Sequence, residues 1–206
     1  MDIIQYKYWL LIFFAIVMYF VKRYYGSELY GKPSESYKQT PEKLFWDKIE
    51  KARNIASNNY EIQCQKLVAL LKTESPEYIM QFNEIFNDKL DKAYTWKLWA
   101  AAYVINGGCS DDAFIDFRSW LIGQGEMIFE GAIKSPDSLS NIDIETDEWE
   151  GLQYCANQAY KELMEQDIPP DEMIRSLEPK GDKWDEGNAE QLKAMLPHLS
   201  LKYNSI

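Results

Sequence analysis

Between Asn106 and Gln124 the chain reads NGGCSDDAFIDFRSWLIGQ, which gathers most of its chemically capable residues. Cys109 stands just before a predicted helix start, a position that favours the thiolate a nucleophile needs. The chain holds one histidine, His198, in the segment MLPHLSLKY. A Cys109–His198 pair oriented by an aspartate is therefore one reading. Against it, Asp111 and Asp112 disfavour a thiolate beside them, and lone cysteines commonly serve as small buried residues. The two carboxylates offer a second hydrolytic route. Adjacent helical residues point about 100° apart, however, so a third group such as Asp116 or Glu126 would have to join them.

A binding reading uses the same residues differently. Backbone amides at the helix start, Arg118 and the side chains of Asn106 and Gln124 would converge on a polar ligand, with Trp96, Trp99, Tyr103 and Trp120 as walls. Two aspartates suit a cationic or hydrogen-bonding ligand better than an anion. A purely structural account also stands. Asp111 and Asp112 oppose the positive helix end, worth about 0.3–1 kcal/mol each, and Arg118, seven residues after Asp111, pairs along the same face.

The elements that position these residues are helices. WKLWAAAYVI, from Trp96 to Ile105, is apolar nearly all round and predicts a buried helix. Asn106-Gly107-Gly108 ends it, and Ser110 caps a second helix over about Asp111–Ile122. Within that helix Phe114, Phe117 and Leu121, with Ala113 and Trp120, give a broad apolar side. Upstream, Thr40-Pro41-Glu42 and Ser75-Pro76-Glu77 are helix starts with proline at the first helical position. The first leads into a stripe of Phe45, Ile49, Ala52 and Ala56 ending near Ser57. The second leads into Ile79, Phe82, Phe86, Leu90 and Ala93. Between them a helix over about Tyr60–Lys72 buries Cys64, Leu67, Val68 and Leu71.

Downstream the pattern predicts helices near Glu126–Ile133, with Met127, Phe129 and Ile133 apolar, and over about Glu148–Gln166. Further helices fall around Asp171–Leu177 and Asn188–Leu196, and a turn-rich loop spans Ser135–Asp147. No alternating strand pattern or repeat persists. The expected fold is all-α, an irregular multi-helix bundle with the Trp96–Gly125 hairpin in its core.

The run WAAAYVINGGCSDDAFIDFRSWLIGQG, followed by the PDSL of Pro136–Leu139, resembles the bacterial family described as domain of unknown function 4240. The likeness runs from about Phe45-Trp46 to the final LPHL, roughly residues 45–200. It implies a compact, mostly helical domain, and it brings no established substrate, cofactor or catalytic residue.

Residues 1–25 read separately, as a single transmembrane helix. Tyr8 to Val21 is an uncharged run of 14 residues, short of the roughly twenty a spanning helix takes. Snorkelling by Lys7 extends the span back to Ile3. Tyr6, Tyr8 and Trp9 at one end, with Tyr19, Tyr24 and Tyr25 at the other, resemble interfacial aromatic belts. No small-residue cleavage signal follows. Lys22, Arg23, Lys32 and Lys38 place the carboxyl-terminal side in the cytoplasm. Residues 26–39 form a polar tether, and 40–206 the helical domain.

Charge and composition narrow the partners. The chain carries a formal net charge of −11, and between Asp137 and Glu190 sixteen acidic residues face four basic ones. Such a surface repels phosphate backbones, so no nucleic-acid partner is expected. No phosphate-cradling glycine loop occurs. With one histidine and no CxxC pattern, neither a metal site nor a cofactor is expected. Cys64, Cys109 and Cys155 are widely spaced and odd in number, which predicts reduced thiols and no disulfide. The combined expectation is a membrane-tethered binding or interaction module, taking a protein partner or small polar ligand through residues 106–118 or the acidic face. A hydrolase using Cys109 or Asp111/Asp112, and an acidic antidote to a basic toxin, remain the alternatives.

Overall fold

Thr40, Ser75, Thr95 and Ser110 each turn a side-chain oxygen onto the third amide of the helix that follows, and these four caps set the layout of the first half. In the computed structural model, residues 40–144, 149–170 and 176–203 are described. The predicted anchor at 3–25 and tether at 26–39 lie outside them. Among the described residues no helix is long and apolar enough to cross a membrane.

The elements, in chain order, are α1 (Pro41–Ala56), α2 (Tyr60–Leu71), α3 (Pro76–Lys92), α4 (Trp96–Asn106), α5 (Asp111–Gly123) and α6 (Glu126–Lys134). Two 3₁₀ turns follow, Pro136–Asn141 and Glu150–Tyr154. Then come α7 (Cys155–Met164), α8 (Ala189–Met195) and α9 (Pro197–Tyr203). The fold is all-helical among the described residues, with a single isolated bridge between Thr95 and Lys180.

The apolar stripes meet in one core. Phe45, Trp46 and Ile49 of α1 pack with Phe82 and Phe86 of α3, and Trp46 meets Phe129 of α6 at 5.3 Å between ring centres. From Ser119 to Gly123 every residue of α5 is buried, so that half of the helix is enclosed on all sides. The long fourth-quarter helix differs from expectation. Glu150–Tyr154 is a 3₁₀ turn, and the α-helix proper starts only at Cys155. Met127 also departs from its predicted apolar role, being 82% exposed, while Phe129 and Ala132 of the same helix are buried. Of the predicted helix around Asp171–Leu177, residues 171–175 lie outside the described residues.

Two long-range features were not foreseen. Lys89, on the core side of α3, is buried against the rings of Trp46 and Phe129 and forms an ion pair with Glu42. Its long stem fills apolar space while its ammonium finds a carboxylate. The second is a correction. Cys64 and Cys155, expected as separate reduced thiols, form a disulfide between α2 and the start of α7, with their Cα atoms 6.0 Å apart. They are 91 positions apart in sequence, so spacing along the chain carried no sign of the pairing.

Candidate functional site

Gly107 ends α4 at φ 68°, a left-handed conformation that suits glycine, and its amide donates to the Tyr103 carbonyl. The chain then turns through Cys109 into α5, and the Trp99 indole N–H fixes that turn by donating to the Cys109 carbonyl at 3.0 Å. Trp99 stacks with two other rings. Trp96 stacks on it at 5.3 Å between ring centres, and Phe114 at 4.8 Å. The hinge therefore rests on a ladder of flat aromatic faces.

A strap from the far end of the chain covers this ladder. The Trp96 amide donates to the Lys180 carbonyl at 3.0 Å, and the Lys180 amide to the Tyr94 carbonyl at 2.9 Å. The Lys180 ammonium reaches Asp91 Oδ2 at 2.6 Å. Four residues on, Trp184 is buried with its ring edge against Tyr103, and its indole N–H donates to the Trp96 carbonyl at 2.9 Å.

Between strap and hinge lies a cleft of ≈ 540 Å³. Trp96, Trp99 and Trp184 supply its aromatic lining, Asp111, Asp112 and Glu186 its carboxylates. Cys109, Ser110 and Lys183 complete it. The Lys183 ammonium sits 4.9 Å over the centre of the Trp96 ring, so a cation already occupies an aromatic face here. Asp112 also borders a second recess of ≈ 460 Å³, shared with Asp116, Glu150, Gln153 and Tyr154.

The seven residues singled out from sequence divide between this cleft and the scaffold. Cys109, Asp111 and Asp112 line the cleft, as do Trp96 and Trp99 among the expected walls. Asn106 is exposed on the last turn of α4. Trp120 is buried in the core, and its indole donates to the Tyr60 hydroxyl at 3.0 Å. Gln124 caps the end of α5 and accepts a bond from Arg53 on its carbonyl. Arg118 points toward α3, donating to the Leu90 carbonyl at 3.0 Å and to its own helix at Phe114, with the Tyr94 ring 4.4 Å from its guanidinium carbon. Burial lowers the Arg118 pKa, against the opposing pull of Tyr94 and Asp91. This arginine fastens α5 to the end of α3.

His198 is not among the residues lining the cleft. Its Nδ1 lies 2.6 Å from Asp137, whose carboxylate also accepts the His198 and Leu199 amides and so caps α9. Trp184, Lys183 and Glu186 were not identified as site residues from sequence. Their segment, between the two last predicted helices, carries a proline, two glycines and dense charge, and the one signal that could have found the site is the indole of Trp184 within it. Among the described residues, no group of three or more His, Cys, Asp or Glu side chains is arranged to hold a metal ion.

An all-α domain whose central hairpin carries an aromatic, acid-edged cleft is the class that fold and site define. The chain belongs to the family described as Protein of unknown function (DUF4240), whose model matches residues 41–162. No curated protein and no solved structure matches.

Proposed function

We propose that the chain is a single-pass, membrane-tethered binding module whose hinge cleft takes a cationic ligand, either a small amine or a basic side chain of a protein partner. The observation that carries this reading is the Lys183 ammonium over Trp96, in a cleft edged by Asp111, Asp112 and Glu186. Flat indole faces attract a cation through their quadrupole, and carboxylates at the rim add long-range attraction. The acidic surface supports the same choice of partner.

Residues 3–25 serve as the anchor and 26–39 as the tether, with the helical domain on the cytoplasmic face. The apolar run flanked by aromatic belts supports the anchor, and the excess of Lys and Arg after it supports the orientation. Fractionation with protease protection tests this part. A full-length chain recovered dispersed in cytosol refutes the anchor, and a domain digested only from the outer face refutes the orientation.

The ligand class is tested with the full chain in detergent, using spermidine and a hexalysine peptide as probes and tryptophan fluorescence as readout. Saturable binding that weakens on Asp111→Asn/Asp112→Asn, and tightens on Lys183→Ala by removing the resident competitor, supports the reading. Absence of binding by both probes, or binding indifferent to these substitutions, refutes it. Binding of spermidine alone marks a small amine, and of hexalysine alone a polypeptide ligand.

A further inference from the structure

The Cys64–Cys155 disulfide occupies a place that a purely structural crosslink does not need. Cys64 is partly exposed and lines a groove of ≈ 420 Å³ between α2 and α7, with Glu61, Gln65, Lys72, Gln158 and Glu162. Cys155 behind it is fully buried. The groove thus gives an incoming thiolate an approach on the Cys64 side, and Cys155 is shielded. Cys155 is the first residue of α7 and follows directly on the 3₁₀ turn, its amide donating to the Leu152 carbonyl. The Gly151 carbonyl lies 3.5 Å from the Cys155 sulfur and 3.6 Å from that of Cys64, so acceptors for both thiols are already in place after reduction.

The crosslink also has something to control. It ties α2 to the segment Trp149–Tyr154, whose Trp149 stacks on Tyr60 at 5.3 Å and whose Leu152 packs beside Gly123 of α5. Glu150, Gln153 and Tyr154 of this segment form one wall of the recess that shares Asp112 with the hinge cleft.

We propose that Cys64 and Cys155 form a reversible redox couple, and that its state sets how firmly residues 149–154 are held against α2 and α5. The reductant is a dithiol, either a small molecule or a protein bearing two cysteines. Its thiolate attacks the Cys64 sulfur, the Cys64–Cys155 bond breaks, and Cys155 leaves as a thiolate that takes up a proton. The second thiolate of the reductant then attacks its own sulfur in the mixed disulfide and releases Cys64, which is also protonated. Two electrons and two protons have passed to the protein, and the reductant departs as a disulfide. Reoxidation by a disulfide retraces these steps. The inference draws on the cytoplasmic placement proposed above, since disulfides on that side of a membrane are usually transient and redox-sensing. Its chemistry can be tested without it.

The test uses the purified full chain carrying Cys109→Ser, equilibrated in mixtures of reduced and oxidised dithiothreitol without denaturant. Alkylation and mass measurement follow the thiols, and hydrogen exchange follows the backbone. Both cysteines are expected to become reactive together in one two-electron transition that reverses on reoxidation. Exchange over 149–154 should rise at least tenfold in the reduced form, with α3 unchanged. In a Cys155→Ser chain, a monothiol disulfide should couple to Cys64; if that chain does not fold, the native titration decides alone. A bond that yields only on global unfolding overturns the couple. Unchanged exchange over 149–154 overturns the control it exerts. Because these readouts use purified protein, a failed localisation experiment would leave them standing, and their failure would leave the cleft reading intact.

Discussion

Trp184→Ala separates the strap from the bundle that it covers. The indole is buried, and truncating a buried tryptophan costs about 3–5 kcal/mol. Buried Pro179 and the Lys183 ammonium over Trp96 also hold this stretch. The two backbone hydrogen bonds between Lys180 and the Tyr94–Trp96 turn contribute about 1 kcal/mol each, and the exposed Lys180–Asp91 pair about 0–1 kcal/mol. The loss exceeds the sum of these hydrogen bonds and the ion pair, so the strap should loosen. The bundle should stay folded, because α8 and α9 remain docked through Leu192, Leu196 and Leu199. Residue-resolved hydrogen exchange reads this directly. At about 1.4 kcal/mol per tenfold change, protection of the Trp96 and Lys180 amides should fall by roughly 100-fold or more. Amides in the middle of α3 and α5 should change little. Unaltered protection at Trp96 would show that the strap is held by something other than Trp184. A uniform loss across α3 would show that strap and bundle unfold as one unit.

Three further outcomes follow from single contacts. Asp137→Ala removes the cap of α9 and should lower stability by about 1–2 kcal/mol in chemical denaturation. Burial pushes the Asp137 pKa up, but the Leu199 amide and the His198 contacts outweigh it, so the folded value lies below the ordinary one. The stabilisation is then complete above the ordinary aspartate pKa of about 4 and fades as pH falls below it, so the wild-type advantage over Asp137→Asn should shrink below about pH 4. Reducing the Cys64–Cys155 bond opens a loop of 91 residues, and loop entropy puts the cost near 4.6 kcal/mol. Over roughly 160 ordered residues that corresponds to a melting point lower by about 14 °C, and a drop under 3 °C would show that the crosslink does not constrain the unfolded chain. Gly123→Ala places a Cβ 3.2 Å from the Leu152 side chain in an enclosed part of the core, and should cost about 1–3 kcal/mol by thermal unfolding.

The helices of the first half were legible because their signals are local. Thr40-Pro41 and Ser75-Pro76 mark starts, Gly107 marks a stop, and the stripes in α1 and α3 repeat at helical spacing. Half of the cleft was legible for the same reason: Trp96, Trp99, Cys109, Asp111 and Asp112 lie within seventeen residues of one another, around one turn. The other half depends on contacts across the chain. Arg118 was aimed along its own helix at Asp111, yet the Leu90 carbonyl and the Tyr94 ring, both on neighbouring chain, offered it better partners. Nothing near Lys89 in sequence announces its partner Glu42, 47 positions before it. α9 was missed since its cap, Asp137, lies 61 positions before His198. PDSL and LPHL had stood out as separate pieces of one resemblance; in the fold, the aspartate of the first holds the second.

The strap gives the hinge two origins. Its floor, from Trp96 to Asp112, falls inside the stretch matched to the family, whereas the roof at 180–186 lies beyond residue 162. The cleft is therefore built from two stretches far apart along the chain, and the family match covers only the first of them.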